Sequence, residues 1–268
     1  MTGARVSRTI AKYLAFARAA ARRTLAERTV LAGRSVFLGV ILFVFSRIWD
    51  VIGARDALPG IGTRELVWYL AVTEWSVLSV PPVFLAIEAE VRSGDVACRL
   101  VRPVGYVGAQ IAEAVGEAAL RLAVLGPCAA GFAFVLAGGL PADPRGLWLA
   151  LPLGLVATFI AILCMAAIGM SAFWIVDTSP FFWIWQKLTF VLGGLLFPLE
   201  LYPEWLRRIA RLSPFPLMCW APGRMALGFA PEQALASALE GVVWSALLGA
   251  LLVVLSRRAR LRLTVSGG

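Results

Sequence analysis

Six apolar stretches follow one another along this chain, at residues 30–49, 65–87, 118–136, 147–172, 181–199 and 239–255. A helix rises about 1.5 Å per residue and the hydrocarbon of a bilayer is about 30 Å thick, so roughly 20 apolar residues make one crossing. Within lipid every backbone polar group must be satisfied internally, which restricts a chain of this kind to helices packed in a bundle. The composition agrees. Of the 268 residues, 60% are hydrophobic and 15% charged, against about 25% charged in an ordinary soluble domain. A water-soluble enzyme and a disordered chain are both excluded on these grounds. The 10 Trp and 15 Phe suit a body with aromatic anchors at two membrane faces.

The sequence contains no His, which removes His-based triads, His metal sites and His proton relays together. The four cysteines, Cys98, Cys128, Cys164 and Cys219, form no Cys-x-x-Cys pair and read as free thiols. The net charge is +9, with the excess gathered at the two ends of the chain. Residues 1–29 carry Arg5, Arg8, Lys12, Arg18, Arg22, Arg23 and Arg28, interleaved with apolar residues at nearly helical spacing. Charges run through the whole segment, unlike a secretory signal. The expectation is an amphipathic helix on the inner membrane surface, held by apolar contact and anionic lipid; the alternative is a solvated basic tail.

Orientation follows from counting. With six spans and an internal N-terminus, 14 of the 25 Lys and Arg fall in cytosolic segments and 7 in outer ones. That bias sets both ends inside and requires an even number of spans. The domain reading is therefore an interfacial helix at 1–29, one membrane domain at 30–256 and a basic cytosolic tail at 257–268. The excess of charge flanks apolar spans and forms no soluble basic face, which argues against nucleic acid as a partner.

Three places carry mechanism. The first is the loop at 88–103, the densest charged stretch between spans, bounded by the breakers Gly94 and Pro103. Its charges alternate in sign. It reads either as a short amphipathic helix pressing Val96, Leu100 and Val101 on a soluble partner or the membrane, or as a solvated loop. The second is 198–231, which holds six of the 15 prolines. Proline removes a backbone donor and breaks helices, so short, broken, partly re-entrant helices are expected on the outer side; an amphipathic helix lying flat is the alternative. The third is the set of charges inside spans: Glu74 in the second, Arg121 at the start of the third and Lys187 in the fifth. Such residues usually face a protein interior and find partners. Glu74 is either a neutral acid in a helix interface or part of a substrate route. Arg34 and Arg47 are expected to snorkel to the two interfaces.

Phosphate-binding and nucleophile-elbow motifs are missing. Neither Lys12 nor Lys187 stands in a Gly-x-x-x-x-Gly-Lys setting, and no Gly-x-Ser-x-Gly occurs.

Three motifs bring a resemblance into view. One is Val91-Arg92-Ser93-Gly94-Asp95 followed by Leu100-Val101-Arg102-Pro103. Another is Phe173-Trp174 before a short loop with Asp177. The third is Gly193-Gly194-Leu195-Leu196-Phe197-Pro198-Leu199 with Tyr202-Pro203-Glu204-Trp205-Leu206, Ser213-Pro214-Phe215 and Ala221-Pro222. Together they resemble a permease subunit of the type-2 ABC transporter (exporter) superfamily, in a bacterial branch whose operons commonly encode one ATPase and two different permeases.

That resemblance implies an all-α integral membrane fold of six transmembrane helices, with an N-terminal interfacial helix, a cytosolic coupling helix and broken outer helices before the last span. It implies that Glu90, Arg92, Gly94, Asp95, Arg99 and Arg102 belong to the ATPase-coupling region, and that Pro198, Pro203, Trp205, Pro214, Phe215 and Pro216 belong to the outer gate helices. It implies a non-catalytic subunit of the inner membrane, working with a second permease, more readily a different chain, and two copies of an ABC ATPase. ATP and Mg would bind the ATPase, leaving no cofactor on this chain. The rival reading from the residues alone is an ion- or proton-coupled carrier that uses Glu74 and Lys187 without an ATPase.

Overall fold

Proline and glycine decide where the helices of this chain stop. The computed structural model describes residues 2–53, 61–100 and 105–266, and among them the structure is helical with no strand. In chain order the helices are α1 (Thr2–Ala26), α2 (Arg28–Gly53), α3 (Thr63–Leu78), α4 (Val83–Ser93), α5 (Asp95–Leu100), α6 (Tyr106–Leu136), α7 (Gly146–Met170), α8 (Ser179–Leu192), α9 (Glu204–Arg211), α10 (Phe215–Met218), α11 (Trp220–Met225) and α12 (Pro231–Ser266). Single 3₁₀ turns lie at Ser171–Phe173 and Leu199–Leu201.

Five stretches are long and apolar enough to cross a membrane: Arg28–Ile52, Thr63–Ser93, Tyr106–Leu136, Gly146–Phe173 and Pro231–Arg262. The stretch expected as a fifth span, 181–199, differs. Its helix, α8, has 14 residues, about 21 Å at 1.5 Å per residue and short of a full crossing. It ends at Gly193 and Gly194. Gly194 has φ +69°, a left-handed conformation that glycine adopts without a Cβ penalty. From there the chain enters the proline-rich segment, whose short helices α10 and α11 pack against α3 and α7 while α9 packs on α8 and α10. The basic residues Arg257, Arg258, Arg260 and Arg262 sit on the last turns of α12.

The second crossing is itself broken, between α3 and α4, at Pro81-Pro82. Two prolines without N–H groups interrupt the ladder, and the carbonyls they release take other donors. Val80 N–H donates to the Val77 carbonyl at 3.2 Å. Arg34 Nη1 on α2 donates to the Leu78 carbonyl at 2.7 Å, and Arg121 Nη1 on α6 donates to the Val80 carbonyl at 3.1 Å. Arg34, expected to snorkel to an interface, is half-buried and bonded to the backbone of the broken crossing. Arg121 is buried and also pairs with Glu117 one turn earlier.

Packing is close where residues are small. A β-carbon on Gly116 of α6 would lie 1.9 Å from the Ala17 carbonyl of α1, and one on Gly108 would lie 2.9 Å from the Tyr13 hydroxyl. The buried stripe of α1 and α2 runs through Ala20, Thr24, Leu31, Leu38, Leu42 and Trp49, spaced four or seven apart as in a helix-packing seam. The inward face of α1 is thus spent on α6, while Ile10, Leu14 and Leu25 remain exposed. α7 is hydrophobic all round and sits at the centre, as such a helix must: it touches α4, α11 and α12, with Gly154 against Trp75 and Gly169 against Phe84 and Ile87. The outward faces of α2, α8 and α12 expose large apolar side chains, among them Phe43, Trp183, Val242 and Val254.

Candidate functional site

The charged turn after the second crossing is built from the last turn of α4, a glycine and α5. Gly94 closes α4 in the left-handed region, at φ +79°, the conformation that favours glycine at a helix C-terminus. Asp95 opens α5, and its Oδ2 accepts from the Ser93 hydroxyl at 2.7 Å. Val96, expected to press on a partner or the membrane, is instead buried in the chain's own core beside Tyr106 and Ile87. It anchors the turn, leaving Asp95, Ala97 and Cys98 exposed. Arg102 and Val101 lie outside the described residues.

Two charge networks fasten this turn to its neighbours. In the first, Glu90 Oε2 accepts from the Tyr106 hydroxyl and from Gln110 Nε2, each at 2.9 Å, while its Oε1 pairs with Arg99 Nη2 at 3.0 Å. Arg99 also faces Glu113 at 3.7 Å, and Glu113 pairs with Arg23 of α1 at 3.0 Å. One continuous chain of polar contacts therefore links α4, α5, α6 and α1. In the second, Glu88 pairs with Arg92 at 2.9 Å and accepts from the Thr178 backbone N–H at 2.8 Å and from the Thr178 hydroxyl. Arg92 Nε donates to the Val176 carbonyl at 2.7 Å. This ties α4 to the loop that precedes α8. In the same loop Asp177 accepts from Ser179 N–H at 2.9 Å, and that bond holds its carboxyl below the usual carboxylate range. A carboxylate taking several charge-assisted bonds is fixed in place more firmly than a lone exposed pair.

Of the residues expected here, Glu90, Arg92, Gly94, Asp95 and Arg99 are brought together. Sequence reasoning missed Glu88, Glu113, Tyr106, Gln110, Thr178 and Arg23. Only the Glu88–Arg92 spacing of i, i+4 was a readable signal; the others are separated by up to 90 residues.

The opposite end of α3 holds the proline-rich segment. The Tyr69 hydroxyl donates to the Gly194 carbonyl, Thr73 Oγ1 donates to the Leu195 carbonyl at 3.1 Å, and Trp220 N–H donates to the Gly193 carbonyl at 3.0 Å. Glu200 accepts from Trp220 Nε1 at 3.0 Å and from Arg224 Nε at 3.1 Å. Gly223 is packed so closely on Thr73 that a β-carbon would meet it at 2.6 Å. Pro198 and Pro216 are buried, Pro214 and Phe215 half-buried, and Pro203 and Trp205 exposed. This is the broken-helix arrangement read from the prolines.

Glu74, one residue beyond Thr73, is only 5% exposed, and among the described residues it has no hydrogen-bonding or ion-pair partner. Lys187 is not a buried charge. It is exposed on α8 with its Nζ 5.7 Å from the centroid of the Phe190 ring. The structure does not pair these two residues.

A charged turn joined by polar networks to the ends of several crossings can carry force between them. A family model described as ABC-2 family transporter protein matches residues 38–261, which covers both the charged turn and the proline-rich segment. No curated protein matches the chain significantly. Permeases of this family are membrane subunits that are generally non-catalytic and imply an ABC ATPase partner. On the match and the helical architecture together, this chain belongs to the ABC-2 transporter family, as a multi-pass membrane permease of an ABC transporter.

Proposed function

We propose that this chain is the non-catalytic permease half of an ATP-driven exporter, receiving force at the turn formed by α4, Gly94 and α5. The observation that carries the reading is the double fastening of that turn, to α6 and α1 through Glu90 and Arg99 and to the loop before α8 through Glu88 and Arg92. An ATPase pressing on the exposed Asp95, Ala97 and Cys98 would move all of these elements together. α4 would pivot at Pro81-Pro82, and α3 would pass the motion to the proline-rich segment through Tyr69 and Thr73. Transport is then a switch between two packings, biased by nucleotide in the partner.

In this reading Glu90, Arg92, Gly94, Asp95, Arg99 and Arg102 form the coupling region. The segment with Pro198, Pro203, Trp205, Pro214, Phe215 and Pro216 forms the outer gate. The working unit has two ATPase copies, which bind ATP and Mg, and a second permease that is a different chain. The chain lies in the bacterial inner membrane with both termini cytoplasmic, α8 and the proline-rich segment together making a sixth, broken crossing, as the Lys and Arg bias supports. The exposed Ile10, Leu14 and Leu25 on basic α1 support contact with the inner surface.

Co-purification with the operon's ATPase tests the proposal. The ATPase should co-purify, and replacing Arg92 and Asp95 with Ala should weaken assembly and transport. Intact assembly and transport in that variant overturns it. A second reading draws on Glu74, whose buried carboxyl without a partner suits a proton-coupled carrier. Proton-driven uptake in liposomes lacking any ATPase, abolished by Glu74→Gln, would support that reading over export; normal transport by Glu74→Gln removes its basis.

A further inference from the structure

A cavity of about 410 Å³ opens between the start of α6, the end of α7 and the last turns of α12. One stripe of α12 lines it: Gly249, Leu252, Val253, Ser256, Arg257 and Arg260. These positions recur at three- and four-residue intervals, so they share a single helical face. Along that face the chemistry changes with depth. Gly249 and Val253 lie deeper in the apolar crossing Pro231–Arg262 than the arginines near its end, Arg260 standing 11 residues beyond Gly249, roughly 16 Å along the helix axis. Among the described residues neither Arg257 nor Arg260 has an acidic partner. Tyr106 and Phe173 supply the facing wall.

We infer that this groove binds one anionic phospholipid, with its phosphate between Arg257 and Arg260 and the start of an acyl chain along Val253 and Gly249. Two features select lipid as the occupant. The two unpaired guanidinium groups are complementary to a phosphate, and basic pockets between helices at a membrane face are suited to acidic headgroups. The apolar half of the groove lies at hydrocarbon depth, where a soluble ATPase does not reach. Gly249 gives the chain room, since a β-carbon there would meet nothing within 4 Å. The bound lipid would clamp α12 to α6 and α7, a contact that the exposed α12 otherwise makes mainly through α7. The inference rests on the chain being a membrane permease and is independent of export and of ATPase coupling.

Native mass spectrometry of the full-length chain tests it, with phosphatidylglycerol and phosphatidylcholine supplied in equal amounts and no nucleotide present. The wild-type chain should retain one phosphatidylglycerol in preference. Arg257→Gln with Arg260→Gln should weaken retention about thirty-fold, two cationic side chains' worth at an anionic membrane surface. Arg258→Gln, a neighbour that does not line the cavity, should change it little. Gly249→Leu keeps both charges but fills the groove, and it should also lose the lipid while the protein still elutes as a single folded species. Equal retention of both lipids by the wild type, or unchanged retention in Gly249→Leu and the double Arg variant, overturns the inference. Displacement of the lipid by millimolar inorganic phosphate alone also overturns it, because the acyl contact would then contribute nothing. If the double Arg variant keeps its lipid but no longer captures the ATPase, the groove is a protein-docking surface and the inference is wrong.

Discussion

Arg34 on α2 donates to the Leu78 carbonyl on α3 at 2.7 Å, at the point where Pro82 has removed the backbone donor that carbonyl would otherwise use. Arg121 on α6 donates to the Val80 carbonyl, just before the two prolines, at 3.1 Å. Arg121, read as a charge inside a span, and Arg34, read as snorkelling to an interface, both bond backbone carbonyls of a broken crossing.

Removing either arginine should leave a carbonyl unsatisfied at membrane depth. Arg34→Ala should destabilise the permease by about 2 kcal/mol, the usual penalty for a buried unpaired acceptor. Arg121→Ala should cost about 3 kcal/mol or more, because it also strands Glu117. Arg34→Lys, which keeps a donor, should recover part of the loss. Thermal unfolding in detergent, followed by size-exclusion chromatography, measures all three; equal melting temperatures would contradict the assignment.

The Glu90–Arg99 pair should couple energetically. Glu90→Ala removes three partners at once, Tyr106, Gln110 and Arg99, and should cost more than Arg99→Ala. A double-mutant cycle on thermal stability should return a coupling of about 1 kcal/mol, as for contacting residues in one network. Strict additivity would mean that the two side chains act independently.

The contact of α1 with α6 turns on one glycine. Gly116→Val should detach α1, since its β-carbon would overlap the Ala17 carbonyl at 1.9 Å and backbone cannot yield as a side chain does. The expected loss is about 2–3 kcal/mol, with faster proteolysis within residues 1–26. Gly131→Ala, on the same helix but with nothing within 4 Å, should be neutral or stabilising by up to about 1 kcal/mol.

The hold of α3 on the proline-rich segment can be loosened without disturbing the core. Tyr69→Phe removes the hydroxyl bonded to Gly194, and Thr73→Val removes the one bonded to Leu195. Each bond is worth about 1 kcal/mol, so the double variant should open the segment more often. Cys219, fully buried within it between α10 and α11, should then react with a thiol reagent about tenfold faster or more. An unchanged rate would show that these bonds do not hold the segment.

Much of the architecture was readable because it follows from single residues. The apolar runs located the crossings, Gly94 located the turn, and the clustered prolines located the broken outer helices. The short α8 was less legible, because 181–199 is largely apolar and only the Gly193-Gly194 pair marks its stop. The networks were least legible. Glu113, Tyr106, Gln110 and Thr178 look like ordinary helix or loop residues until folding brings them beside Glu90 and Glu88. Lys187 was hard to place for a related reason: its position put it inside an apolar run, and only the packing of α8 shows that its side of the helix is exposed on this chain.

Cys98 gives the most direct test of force entering at the turn. It is the exposed thiol of α5, beside Asp95 and Arg99. A short bifunctional reagent attached to Cys98 in the assembled transporter should capture the ATPase, with a yield that changes when ATP is bound. A Cys98 label that stays fully water-accessible, capturing nothing while ATP is being hydrolysed, would contradict the account.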